Sequence, residues 1–78
     1  MAGIPDGPKV GECYLSDTGH VRRVTHVMPD GRVGFEWRQA YSLRSPWRTS
    51  LLEGRSFAAS ALRSVPCDFV EARGTSGL

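Results

Sequence analysis

The chain has no uninterrupted apolar stretch near the ~20 residues that a membrane-crossing helix requires. Its opening Met1, Ala2, Gly3 and Ile4 lack the positive start and following apolar run of a secretory signal. These absences lead us to expect a cytoplasmic protein with no membrane partner, although a mature secreted domain would read the same way. Cysteine is scarce: Cys13 and Cys67 are too few for a disulfide framework. In a reducing compartment they are expected to be free thiols packed as small core residues, meeting only if the first and last strands are neighbours.

Recognisable catalytic signatures are also missing. There is no phosphate loop, dinucleotide fingerprint, zinc-protease motif or serine-nucleophile elbow. Asp30 and Glu36 are separated by a turn and form no evident acid and base pair. Cys67 has no sequence-defined partner to activate it. His20 and His26 share strand parity, yet six extended residues place them about 20 Å apart, too far for joint metal ligation. No catalytic residue, metal ligand or cofactor is therefore expected. An active site assembled only across an oligomer interface stays open.

What the chain does contain is enough bulk for one small core. Its 78 residues include three Phe, two Tyr and two Trp, and a chain of this size buries roughly 60% of its unfolded surface. Arginine is unevenly placed. Between His20 and Arg55 lie seven arginines against Asp30, Glu36 and Glu53, a local formal charge of +4 on a chain whose total is +2. Such a field attracts phosphates or acidic proteins, and it also suits a merely solvated β surface.

The chain divides into a leader over residues 1–9, one domain over 10–71 and a tail over 72–78. Gly11 to Leu15 suits a first strand, and Ser16, Asp17, Thr18 and Gly19 suit a turn. Residues 21–38 carry the clearest local signal, two extended runs around Pro29, Asp30 and Gly31. Pro fixes the torsion at the second turn position, and Gly31 accepts the left-handed conformation that closes a hairpin. With Met28 opposite Arg32, an unbroken register sets Val27 against Val33, Thr25 against Phe35 and Arg23 against Trp37. Val21, Val27, Val33, Phe35 and Trp37 then point inward with Thr25. The reverse face carries Arg22, His26, Arg32, Glu36 and Arg38.

Beyond the hairpin the signals weaken. Tyr41 and Leu43 permit a short strand, which Pro46 interrupts. Residues 57–62 suit two helical turns capped by Ser56, Pro66 ends that helix, and residues 67–71 suit a final strand. Leu51, Leu62 and Phe69 complete the expected core.

Short strands, a tight hairpin and a helical turn before the last strand resemble the SH3-like β-barrels over residues 10–70, with the turn between Met28 and Val33 as the firmest point. The resemblance implies a mainly β fold, a small SH3-like or partly open β-barrel with a short helix near the C-terminus. A small α+β domain is the alternative. The functional expectation is a small binding module for DNA or RNA. Arg22, Arg32 and Arg38 would contact phosphates, Arg44 and Arg48 would extend the positive surface, and Tyr41 or Trp47 would stack on bases. The alternative is a protein-interaction or regulatory module, with homo-oligomer formation as a structural variant.

Overall fold

The computed structural model describes residues 7–71. Most of the expected leader and all but residue 71 of the sequence beyond 70 lie outside them; the expected tail is wholly outside. Within the described residues, the Lys9 amide donates to the Tyr14 hydroxyl at 3.2 Å.

Among the described residues the elements run β1 (Cys13–Ser16), β2 (His20–Val27), β3 (Arg32–Gln39), β4 (Arg48–Glu53), α1 (Gly54–Ser60) and β5 (Ala61–Val65). The strands form one antiparallel sheet in the order β4-β3-β2-β1-β5. This is a mainly β domain of SH3-like topology whose sheet stays open, with one short helix before the last strand. No helix among the described residues is long and apolar enough to cross a membrane.

The hairpin forms where Pro29, Asp30 and Gly31 place it. The Met28 amide donates to the Arg32 carbonyl at 2.8 Å, and Gly31 turns at φ +94°. Val27 pairs with Val33 as expected, but the register then slips at a β-bulge between Val24 and His26. Past Thr25, Val24 faces Phe35, Arg23 faces Glu36 and Arg22 faces Trp37. One extra residue exchanges the two faces of a strand. The expected pairings of Thr25 with Phe35 and of Arg23 with Trp37 are therefore wrong.

The sheet consequently buries side chains on both faces. Tyr14, Val24, Val33 and Phe35 pack with Phe57 and Ala61 on the first face. Phe57 meets Tyr14 and Phe35 edge-on, with centroids 5.8 and 5.1 Å apart; burying such a side chain contributes about 2–3 kcal/mol. On the second face, Cys13, Leu15, Val21, Ala40 and Val65 pack beneath Cys67 and Phe69. Val27, Leu51 and Leu62, expected inside, are exposed, while Trp37 and Phe69 are half-buried.

The C-terminal half differs from expectation. The helix starts at Gly54 with Ser56 inside it and no side-chain cap. Its last residue precedes Ala61, which turns extended to pair with Ser16 of β1. The final strand therefore precedes Pro66, and residues 67–71 cross the second face without joining the sheet as a strand. Pairing with the free edge of β1 outweighs the helix propensity of Ala61 and Leu62. The expectation of reduced thiols is also overturned. Cys13 and Cys67 form a disulfide with Cα atoms 5.2 Å apart, joining β1 to the crossing segment.

Candidate functional site

Two arginines leave the surface for different reasons: the bulge in β2 turns Arg22 onto the first face, whereas Arg38 of β3 keeps its face and is covered by the crossing segment at Cys67 and Phe69. Arg22 is only 8% exposed, with its guanidinium 5.2 Å from the Phe35 centroid and 5.4 Å from that of Phe57. It donates to the Ser60 hydroxyl at 2.7 Å. Burial lowers its pKa, a shift that nearby Asp17 opposes. Arg38 is 1% exposed and spends its donors on main-chain carbonyls. It reaches Gln39 at 3.1 Å, Ser42 at 3.4 Å, Cys67 at 2.9 Å and Phe69 at 2.6 Å. Burial lowers its pKa as well, against the raising effect of Asp68. Both guanidinium groups are integral to the interior, unlike the phosphate contacts expected of them.

Arg32 stays at the surface but is engaged locally. Its Nε donates to Asp30 at 2.8 Å and its amide to the same carboxylate at 3.1 Å. The Arg32 amide, followed by its guanidinium, holds the Asp30 carboxyl below its ordinary pKa. Arg32 pairs with Glu53 at one end of β4, whereas Arg48 lies at the other, five residues or about 17 Å away along a strand.

Tyr41, Arg44 and Arg48 come together with Trp37 around an open cleft of about 380 Å³ between the end of β3 and the loop over residues 40–47. Ser42 and Pro46 complete much of its wall, which contains no carboxylate. An adjoining depression that shares Gln39 and Tyr41 includes Glu71, and one at the opposite end of β4 includes Asp30 and Glu53. Among the described residues neither the Arg44 nor the Arg48 guanidinium has a hydrogen-bond or ion-pair partner. Both are exposed.

Local bonding shapes this loop. The Gln39 amide donates to the Ser45 hydroxyl at 3.0 Å, and the Arg44 amide to that of Ser42 at 3.1 Å. Short polar side chains bond to nearby backbone in this way and substitute for a regular ladder. Trp37 pairs with Arg48 across β3 and β4 and stacks on His20, with centroids 4.3 Å apart. Burial first, and then Arg22, lowers the His20 pKa, favouring a neutral ring against the indole.

Trp47 does not line this cleft. At 36% exposure it lies beneath neither core cluster, and its ring is 4.8 Å from the Arg23 guanidinium and 5.4 Å from that of Arg38. It therefore lies over the buried Arg38 and the partly exposed Arg23 at the end of the loop. Sequence reasoning assigned Trp37 to the core and missed it as a cleft residue. Its place at the end of β3, beside a loop rich in Ser and Arg, is the signal that points to it.

Among the described residues no group of three His, Cys, Asp or Glu side chains could hold a metal. The two cysteine sulfurs are bonded to each other. The arrangement offers aromatic surface, positive charge and hydrogen-bond donors, which suits binding. The chain matches no protein-family model, no curated protein and no solved structure.

Proposed function

We propose that this domain binds single-stranded nucleic acid, DNA or RNA, in the cleft between the end of β3 and the loop over residues 40–47. The carrying observation is the meeting of Trp37 and Tyr41 with two guanidinium groups, from Arg44 and Arg48, that have no partner among the described residues, around a cleft lined there by no carboxylate. Aromatic rings take bases by stacking, and arginine takes phosphate through paired hydrogen bonds. The site residues of this reading are Tyr41, Arg44 and Arg48 together with Trp37. Trp47 contributes by holding the end of the loop. Single strands suit the cleft because their bases are free to leave a stack, whereas a duplex offers mainly its phosphates.

Titration of the intact protein with oligothymidylate and oligouridylate at physiological salt, followed by backbone amide shifts, tests this reading. Saturable shifts at Trp37, Tyr41, Arg44 and Arg48 are expected. Unchanged spectra across both titrations would discard it.

A second reading, a protein-interaction module or homodimer, draws on the outer edge of β4. This strand ends the sheet, and all its residues except Leu52 are exposed. An extended peptide or a second copy extends such an edge through main-chain hydrogen bonds. Concentration-dependent sedimentation with no response to either oligonucleotide would favour it.

The disulfide also bears on location. Such bonds persist in oxidising compartments, and in the cytoplasm they are mostly transient redox elements. A cytoplasmic location fits a Cys13–Cys67 pair that is held reduced there or that cycles as a redox element.

A further inference from the structure

We propose that Arg38 couples the Cys13–Cys67 disulfide to the cleft, so that reducing the bond loosens the loop over residues 40–47 and weakens ligand binding there. The affinity part of this inference rests on the nucleic-acid reading; the mechanical part does not.

The coupling follows a continuous set of bonds. The disulfide ties the segment after Pro66 to β1. Two carbonyls of that segment, from Cys67 and Phe69, accept from one nitrogen of Arg38. Its other terminal nitrogen donates to Gln39 and Ser42, at the beginning of the cleft loop. The same guanidinium lies 5.4 Å from the ring of Trp47, at the loop's end. Arg38 thus touches both ends of the loop and the disulfide-bound segment. A further bond runs from the Glu71 amide to the Ala40 carbonyl at 2.7 Å.

A buried guanidinium needs its acceptors, because an unsatisfied buried charge is costly. While the disulfide is closed, the Cys67 and Phe69 carbonyls are held in place for Arg38. Once it opens, the segment is anchored chiefly by the Phe69 packing and these hydrogen bonds. Release of its carbonyls leaves Arg38 to seek water, withdrawing the donors that position Gln39 and Ser42. Those two residues flank Tyr41, so the loosening reaches the cleft wall.

The chemistry requires a dithiol reductant. Its thiolate attacks the sulfur of Cys67, the half-buried partner, whereas Cys13 is buried. The protein S–S bond breaks, a mixed disulfide forms at Cys67, and Cys13 leaves as thiolate and takes a proton. The reductant's second thiolate then attacks its own sulfur in the mixed disulfide and releases Cys67, which is protonated in turn. The protein gains two electrons and two protons, and the dithiol becomes a cyclic disulfide.

The test compares oxidised protein with protein reduced by dithiothreitol, using amide hydrogen exchange and oligothymidylate affinity. On reduction, Phe69 and Glu71 are expected to lose protection together with Ser42 and Ser45. Met28, bonded to Arg32 at the hairpin, reports the loss of global stability and is expected to lose less protection than Ser42 and Ser45. Affinity is expected to fall at least about fivefold. Oxidised Arg38→Met should show the same loop exchange, with little further loss of affinity on reduction. Unchanged protection at Ser42 and Ser45 would overturn the coupling, as would equal loss at Met28, which would make the disulfide a global staple. Loop exchange that responds to reduction in a protein that never binds the oligonucleotide would support the coupling and discard the nucleic-acid reading alone.

Discussion

The Gly54 amide donates to the Gly31 carbonyl at 2.8 Å, and a β-carbon on Gly54 would stand 2.7 Å from that same oxygen. The hairpin tip and the start of α1 therefore touch through backbone alone. Gly54→Ala should destabilise the domain by about 1–3 kcal/mol, because neither partner is a side chain that can swing away. Urea unfolding measures this, and an unchanged midpoint would mean that the two turns separate at no cost.

Arg22 and Ser60 should respond asymmetrically. Ser60→Ala removes the hydroxyl that accepts from the buried guanidinium and should cost about 1.5–3 kcal/mol. Arg22→Met keeps apolar contact with Phe35 and Phe57 and should stay within about 1 kcal/mol of the parent. In the Arg22→Met background the Ser60 change should cost much less. Simple additivity in denaturation would show that the pair is not coupled.

The salt dependence of oligothymidylate binding counts the phosphates engaged. With Arg44 and Arg48 each neutralising one, the logarithm of the binding constant should fall with that of salt concentration at a slope of about −1.4. Replacing both by alanine should flatten the slope, whereas Arg22→Met should leave it unchanged. A slope insensitive to the Arg44 and Arg48 pair would move the phosphates elsewhere.

His20 predicts a pH effect. Its pKa is lowered in the folded state by burial and by Arg22, so the unfolded chain takes up its proton first as pH falls. The stability contribution is fully present above the free imidazole value near 6.5 and is lost as pH drops from there toward the lowered folded value. Urea midpoints should fall between pH 7.5 and 5.5, and by less in His20→Gln. Equal falls in both proteins would assign the effect to other groups.

Removing the disulfide should lower stability substantially. A bond across 54 residues of sequence restricts the unfolded chain by about 4 kcal/mol in the chain-entropy view. Cys13→Ser with Cys67→Ser is therefore expected to unfold at much lower urea; a midpoint close to the parent's would show that the reduced segment retains its anchorage.

Local signals were legible where the chain alone decides the outcome. Gly31 and Pro29 specify the hairpin, and Met28 does bond to Arg32. Val33 and Phe35 read as core because alternation in β3 is unbroken. The Arg-bearing face of β2 was misread because nothing in Val24, Thr25 and His26 announces a bulge. The bulge turns Arg22 inward, the segment after Pro66 covers Arg38, and Arg44 and Arg48 stand together at the cleft. Leu51 and Leu62 were misplaced for a related reason: they lie in the two edge strands, where one flank has no neighbouring strand to cover it.

The sequence by itself determined a short, mainly β chain with a hairpin at Pro29 to Gly31 and a break at Pro66, because turn torsions and strand alternation act over a few residues. Tertiary structure decided the bulge, the position of β5, the Cys13–Cys67 bond and the meeting of Trp37 with Arg44 and Arg48. Each depends on contacts between segments distant in the chain, whose energies no local pattern contains. The cleft belongs to this second group, since Trp37 and Arg48 face each other only once β3 and β4 have paired.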